Sequence, residues 1–184
     1  MILPVYIYGS PVLRKVARSI EAGEKGFDQF IQDLWDTMYH SDGVGLAAPQ
    51  VGKSLQVFVI DGSPLEKDDP TLKHFKMTFI NPEIMDRYGD ETAFEEGCLS
   101  IPNIREEIVR PEKIRMRFYD ADFNYHEKEY GGIAARIIQH EYDHLQGILF
   151  TDKVTPLKKR LIRNKLNAIS KGKFEVKYKV KVAK

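Results

Sequence analysis

The sequence predicts an α+β fold. Three observations carry that expectation. Apolar residues recur at helical spacing in three separated stretches. Short alternating or β-branched runs crowd the region between the first two of these stretches. The two kinds of segment do not follow the regular strand–helix–strand order of a parallel sheet. The 184 residues fit one domain, 1–184, and suffice to bury a core without disulfides.

The first helix is expected over Phe27 to His40. There Phe27, Phe30, Ile31, Leu34, Trp35 and Met38 fall at i, i+3, i+4, i+7, i+8 and i+11, a single face. The polar run HSDGVG ends it. LQVFVI (Leu55 to Ile60) is short, apolar and β-branched, a strand closed by DGSP. Asp61 to Lys76 is polar and is expected as a surface loop. MTFINP reads as a strand stopped at Pro82. KIRMRFYD sets Ile114, Met116 and Phe118 against Arg115, Arg117 and Tyr119, the alternation of a half-buried strand. NYHEKEYGG is its expected hairpin partner, with DADFN supplying the turn. A second helix is expected from Gly132 to about Leu145, with Gly147 just past its end. A third runs from Pro156 to Ser170 with Leu157, Leu161, Ile162, Leu166 and Ile169 on its apolar face. The tail KFEVKYKVKV alternates Phe174, Val176, Tyr178, Val180 and Val182 with Glu and Lys. It is expected as a final strand with one face on the core and lysines on the other.

Composition narrows the function classes. Lys and Arg number 28 and Asp and Glu 27, so the chain as a whole is not an electrostatic binder of nucleic acid. Positive charge concentrates only near the end, in LKKRLIRNK and KYKVKVAK. The single cysteine, Cys98, cannot staple a secreted fold, which favours a reducing compartment. The first residues, MILPVYIYGSPVLRK, lack the pattern of a signal peptide, and no apolar run approaches the ~18 residues of a membrane span. A cytoplasmic protein with no membrane partner is expected.

Chemistry concentrates in IIQHEYDHLQG, Ile137 to Gly147. Positions i and i+4 share a helix face, so His140 and His144 can aim both imidazoles at one point. Glu141 lies about 100° around the helix from His140, suited to reach a water held there. This is the H-E-x-x-H arrangement of metal hydrolases, with the glutamate as general base. A third ligand must come from elsewhere. Cys98, in FEEGCLSIPN, follows a glycine and precedes a short strand-like run, as suits a turn presenting its side chain. Two imidazoles and a thiolate leave a position open for water. His40, His74 and His126 lie in loop-like or polar stretches and read as surface residues. A lone cysteine is also a common small buried hydrophobe, and a histidine pair on an amphipathic helix can be plain core.

Three blocks, GVGLAAPQ (Gly43 to Gln50), EGCLS (Glu96 to Ser100) and QHEYDHLQG (Gln139 to Gly147), closely resemble the peptide deformylase family in content, order and spacing. The resemblance runs from about Leu3 to Ser170. It implies an α+β fold of mixed and antiparallel sheets around a central H-E-x-x-H helix. It also implies a hydrolase that removes the formyl group from N-terminal formyl-methionine of newly made proteins. By this resemblance Cys98, His140 and His144 are metal ligands and Glu141 the catalytic base and acid. Gln50 and the N–H of Leu99 are oxyanion donors, and Gly45 is a backbone partner of the substrate. The implied cofactor is one divalent ion, Fe(II) in the cell, with zinc, nickel or cobalt after purification. The expected methionine pocket is Val44, Phe94, Ile133 and Ile137, the last two because i−7 and i−3 lie beside His140. Arg105 is expected to hold the peptide downstream, and Asp143 to fix an arginine such as Arg110 behind the ligands. The expected partners are N-formyl-Met nascent chains, with the enzyme a monomer near the ribosome. The lysine-rich tail puts docking through a long C-terminal helix in doubt.

Two other readings compete. A zinc peptidase would share the histidine helix, but GVGLAAPQ and EGCLS argue against it, since many such peptidases use a third His or Glu and no Cys. A non-catalytic relative that binds nascent peptides would have lost Glu141 or a ligand, and all are present.

Overall fold

The computed structural model describes residues 1–183. A five-stranded antiparallel sheet has the order β2-β3-β4-β5-β6. Its strands are β2 (Gly45–Ala47), β3 (Val57–Asp61), β4 (Lys76–Cys98), β5 (Ile101–Tyr119) and β6 (Tyr125–Gly131). A separate parallel pair joins β1 (Val5–Tyr6) to β7 (Val180–Lys181). The helices are α1 (Phe27–His40), α2 (Gly132–Leu145) and α3 (Pro156–Ser170), the three that periodicity predicts. Thr155 caps α3, accepting from Lys158 N–H, with Pro156 at its first position. Gly147 closes the end of α2 at φ +71°, and Ile148 N–H returns to Asp143 O at 2.9 Å. A Cβ at 147 would also strike the Arg14 backbone at 2.6 Å.

The strand expectations need three corrections. The strand expected to stop at Pro82 continues to Cys98, and β5 begins at Ile101, well before Lys113. Together they form one long hairpin closed at Leu99 and Ser100. Proline survives inside β4 because the register slips between Ile80 and Glu83, so no ladder bond is asked of its missing N–H. The polar loop from Asp61 to Lys76 carries two 3-10 turns, Ser63–Leu65 and Pro70–His74. The tail keeps its alternation, with Phe174, Val176, Tyr178 and Val180 half-buried and Lys173, Glu175, Lys177 and Lys179 exposed. Only Val180–Lys181 of it forms a ladder, because its partner β1 is two residues long.

Three apolar clusters hold these elements. Ile138 and Leu145 of α2 pack with Phe58, Phe79, Met116 and Phe118 of the large sheet. A second cluster sets Ile162, Leu166 and Ile169 of α3 against Ile101, Ile104 and Ile108 of β5. A third sets Leu34 and Met38 of α1 against Leu46, Val57 and Val59. Helix α2 thus lies with its apolar side on the sheet and its histidine side toward the closed end of the β4–β5 hairpin.

Candidate metal centre

The metal-type ligands come from two places. His140 and His144 stand one turn apart on α2, and Cys98 is the last residue of β4, where the hairpin turns. Their ligand atoms all lie within 4.8 Å of one another. Cys98 Sγ is 3.4 Å from His144 Nε2. A tetrahedral ion with bonds of about 2.3 Å to sulfur and 2.0–2.1 Å to nitrogen would set such a pair about 3.5 Å apart. The donor set and its spacing therefore fit one divalent ion. Glu141 Oε2 is buried without a hydrogen-bond partner, which is costly unless a bound group satisfies it.

Behind the ligands lies a buried charged network that the sequence reading only partly foresaw. Glu96 Oε1 accepts from His140 Nδ1 at 2.8 Å and from Arg110 Nη2 at 2.9 Å. Its Oε2 accepts from Arg110 Nε at 2.7 Å and Arg136 Nη1 at 3.0 Å. Arg110 Nη1 donates to Asp143 at 2.8 Å, the pairing expected of Asp143. Glu96 and Arg136 were missed as supporting residues. The available signal was the glutamate in EGCLS, two residues before Cys98, but nothing local says that it turns inward.

Burial and these neighbours set the protonation states of the ion-free protein. Burial works against the Glu96 carboxylate, but bonds from His140 and Arg110 outweigh it and hold its pKa far below the usual range. Burial also works against charge on His140, yet Cys98, Glu96 and Glu141 outweigh it and keep that imidazole protonated well above its ordinary range. Burial and the neighbouring His140 charge push His144 the other way. Glu141 is raised to about 7, chiefly by burial.

Gly45 explains the position of Glu141. A Cβ there would stand 2.6 Å from Glu141 Oε1, so only glycine lets β2 lie against this carboxylate. Gln50, in the 3-10 turn Ala48–Val51, is fixed by Ala47 N–H donating to its Oε1 at 2.9 Å. Its Nε2 donates toward Cys98 Sγ at 3.4 Å and Ser100 Oγ at 3.2 Å. The amide therefore points at the ligand cluster.

These groups open into a cleft of about 590 Å³. Val44, Gly45, Gln50, Phe94, Cys98, Leu99, Arg105, Ile137, His140 and Glu141 all line it. Ile133, expected beside them, is not among the lining residues. It is half-buried and packs against the first apolar cluster. Arg105 is exposed and pairs with Glu95 at 3.3 Å. It lies over Gly97, where a Cβ would meet its Nη1 at 2.7 Å. His40 and His74 are exposed, and His126 pairs with Asp120 at 2.7 Å, so none of these three joins the site.

Comparisons with known proteins identify the family. The family model described as polypeptide deformylase matches residues 2–160. The peptide deformylase of Christiangramia forsetii is 48% identical over 188 residues, covering 98% of this chain and 96% of that one. The peptide deformylase of Cytophaga hutchinsonii is also 48% identical, over 98% of this chain and 97% of its own. The crystal structure of a peptide deformylase from Legionella pneumophila superposes with a TM-score of 0.80 at 38% identity, covering 93% and 96% of the two chains. Sequence blocks, fold and relatives converge: this chain belongs to the polypeptide deformylase family, metal-dependent hydrolases that remove the N-terminal formyl group from newly made proteins.

Proposed function

We propose that formamide hydrolysis in this cleft is divided among Glu141, Gln50 and Leu99 around an ion held by Cys98, His140 and His144. The convergence of those three ligand atoms beside a buried Glu141 is the observation that carries the reading. A divalent ion there would lower the pKa of water toward about 7 and polarise the formyl oxygen. Glu141 takes the proton of the attacking water and later delivers it to the departing amine. A buried carboxyl beside the ligand atoms is placed both to accept that proton and to pass it on. Gln50 Nε2, beside Cys98 Sγ, donates to the oxygen that gains charge, and Leu99 N–H is the second donor. One such donor is worth about 3–4 kcal/mol in other acyl-transfer sites.

Val44, Phe94 and Ile137 form the proposed methionine pocket, with Gly45 and Arg105 meeting the peptide backbone. Their shared position on one cleft supports this. Fe(II) is the proposed ion in the cell, zinc, nickel and cobalt being compatible with the same Cys/His₂ set. The whole span 1–184 is proposed to act as one catalytic domain, a cytoplasmic monomer that meets its formylated chains near the ribosome. Among the described residues no helix is long and apolar enough to cross a membrane.

The test is formate release from formyl-Met-Ala-Ser by anaerobically purified protein, beside Glu141→Ala with ion content measured in both. Formate from the native protein, with an ion-loaded but nearly inactive variant, is the expected result. An ion-loaded native protein that releases no formate would overturn the reading.

A further inference from the structure

Beyond residue 160, where the family model's match ends, the chain returns to the cleft. After α3 the segment 171–183 runs back across the molecule. Phe174 and Val180 pack on the second apolar cluster. Val5 N–H donates to Lys179 O at 2.8 Å and Ile7 N–H to Lys181 O at 3.0 Å. The next residue of that N-terminal segment, Tyr8, donates to Ser100 O at 2.8 Å. The strap is thus tied through β1 to the turn that carries Cys98. Between its two anchors, Val176 and Tyr178 line the cleft, and Tyr178 Oη donates to Leu99 O at 2.8 Å.

We propose that this strap is a wall of the peptide-binding cleft, in which Val176 contacts the residues following formyl-methionine and Tyr178 is a positioning residue that holds Leu99. The inference rests on the reading of the cleft as the formyl-peptide site. Two features support the division of roles. Val176 shares the cleft with Pro102, Asn103 and Arg105 at the hairpin end, and it has no polar group to do chemistry. Tyr178 spends its only donor on the residue whose own N–H faces the reaction in the proposed mechanism. The alternating lysines, Lys177 between them and Lys179 just after, are exposed.

The test measures kcat and KM separately for formyl-Met-Ala-Lys and formyl-Met-Ala-Glu amides at 0.15 M salt, with preference read from kcat/KM, in four proteins: native, Val176→Glu, Lys177→Glu and Tyr178→Phe. Val176→Glu should shift the Lys-to-Glu preference about fivefold toward the lysine peptide, the sum of a modest attraction and a modest repulsion. Lys177→Glu changes more charge but faces outward, and should leave the preference within about twofold of native. Tyr178→Phe should lower kcat about three- to tenfold for both peptides, with KM and ion content unchanged, as expected for losing one hydrogen bond that acts in the transition state. An unchanged preference in Val176→Glu, an equal shift in Lys177→Glu, or an unchanged kcat in Tyr178→Phe would each overturn the corresponding part of the proposal. Native protein that turns over neither peptide would instead overturn the reading of the cleft, and the strap's role with it.

Discussion

Replacing Glu96 with glutamine keeps the side-chain volume and removes one charge from the network behind the metal ligands. In the native protein its two oxygens accept four bonds, from His140, Arg136 and twice from Arg110, at 2.7–3.0 Å. A glutamine amide has one oxygen, so two of those four donors would face an NH₂ group that is itself a donor. Hydrogen bonds to charged groups contribute about 1.5–3 kcal/mol each, and removing one partner of a buried ion pair costs about 3–5 kcal/mol. Arg110 keeps Asp143, and Arg136 keeps the carbonyls of Thr92 and Ile108, which places the loss near the lower end. We therefore expect Glu96→Gln to lower the stability of the ion-free protein by about 3 kcal/mol, read as a reduced urea midpoint at unchanged slope. His140 loses the charged acceptor that fixes its ring, so ion affinity in a chelator competition should fall about 10- to 100-fold. A loss of stability below about 1 kcal/mol, with native ion affinity, would refute this account of Glu96.

Other outcomes follow from the same geometry. Gly45→Ala places a carbon 2.6 Å from Glu141 Oε1, where contacts ordinarily need about 3.5 Å, so the carboxylate must move by most of an ångström. A misplacement of that size should lower kcat about 10- to 100-fold, with ion content unchanged in elemental analysis. In the ion-free protein Glu141 is raised to about 7 from its ordinary 4.5, so the folded state binds the extra proton and loses stability as pH rises between those values. Ion-free Glu141→Gln should thus match the native protein below about pH 4.5 and exceed it by up to about 3 kcal/mol above pH 7, measured by urea unfolding across pH. Asn81 holds φ +47° and clamps Ile20 through two 2.8 Å bonds, its Oδ1 accepting from Ile20 N–H and its Nδ2 donating to Ile20 O. Asn81→Ala should cost about 2–3 kcal/mol in the same assay, without change in ion affinity.

The sequence by itself determined the features whose physics is local. Helical spacing marked α1, α2 and α3 because one helix face must be apolar to pack, and that period is written in consecutive residues. The same regularity put His140 and His144 on one face before any tertiary contact was known. The three family blocks then carried the reaction and named Cys98. Tertiary structure decided what depends on residues far apart in the chain. Polar stretches such as RYGDETAFEEG and REEIVRP show no clean alternation, yet they pair into the long β4–β5 hairpin because the partner strand supplies the bonds. Glu96 reads as one of several surface acids until Arg110, Arg136 and His140, from 14 to 44 residues away, enclose it. Gly45 is a turn glycine in sequence and a seat for Glu141 in space. The tail's alternation was legible, but its neighbours were not. That Tyr178 meets Leu99 follows only from β1 and the second apolar cluster, which fix where the strap must lie.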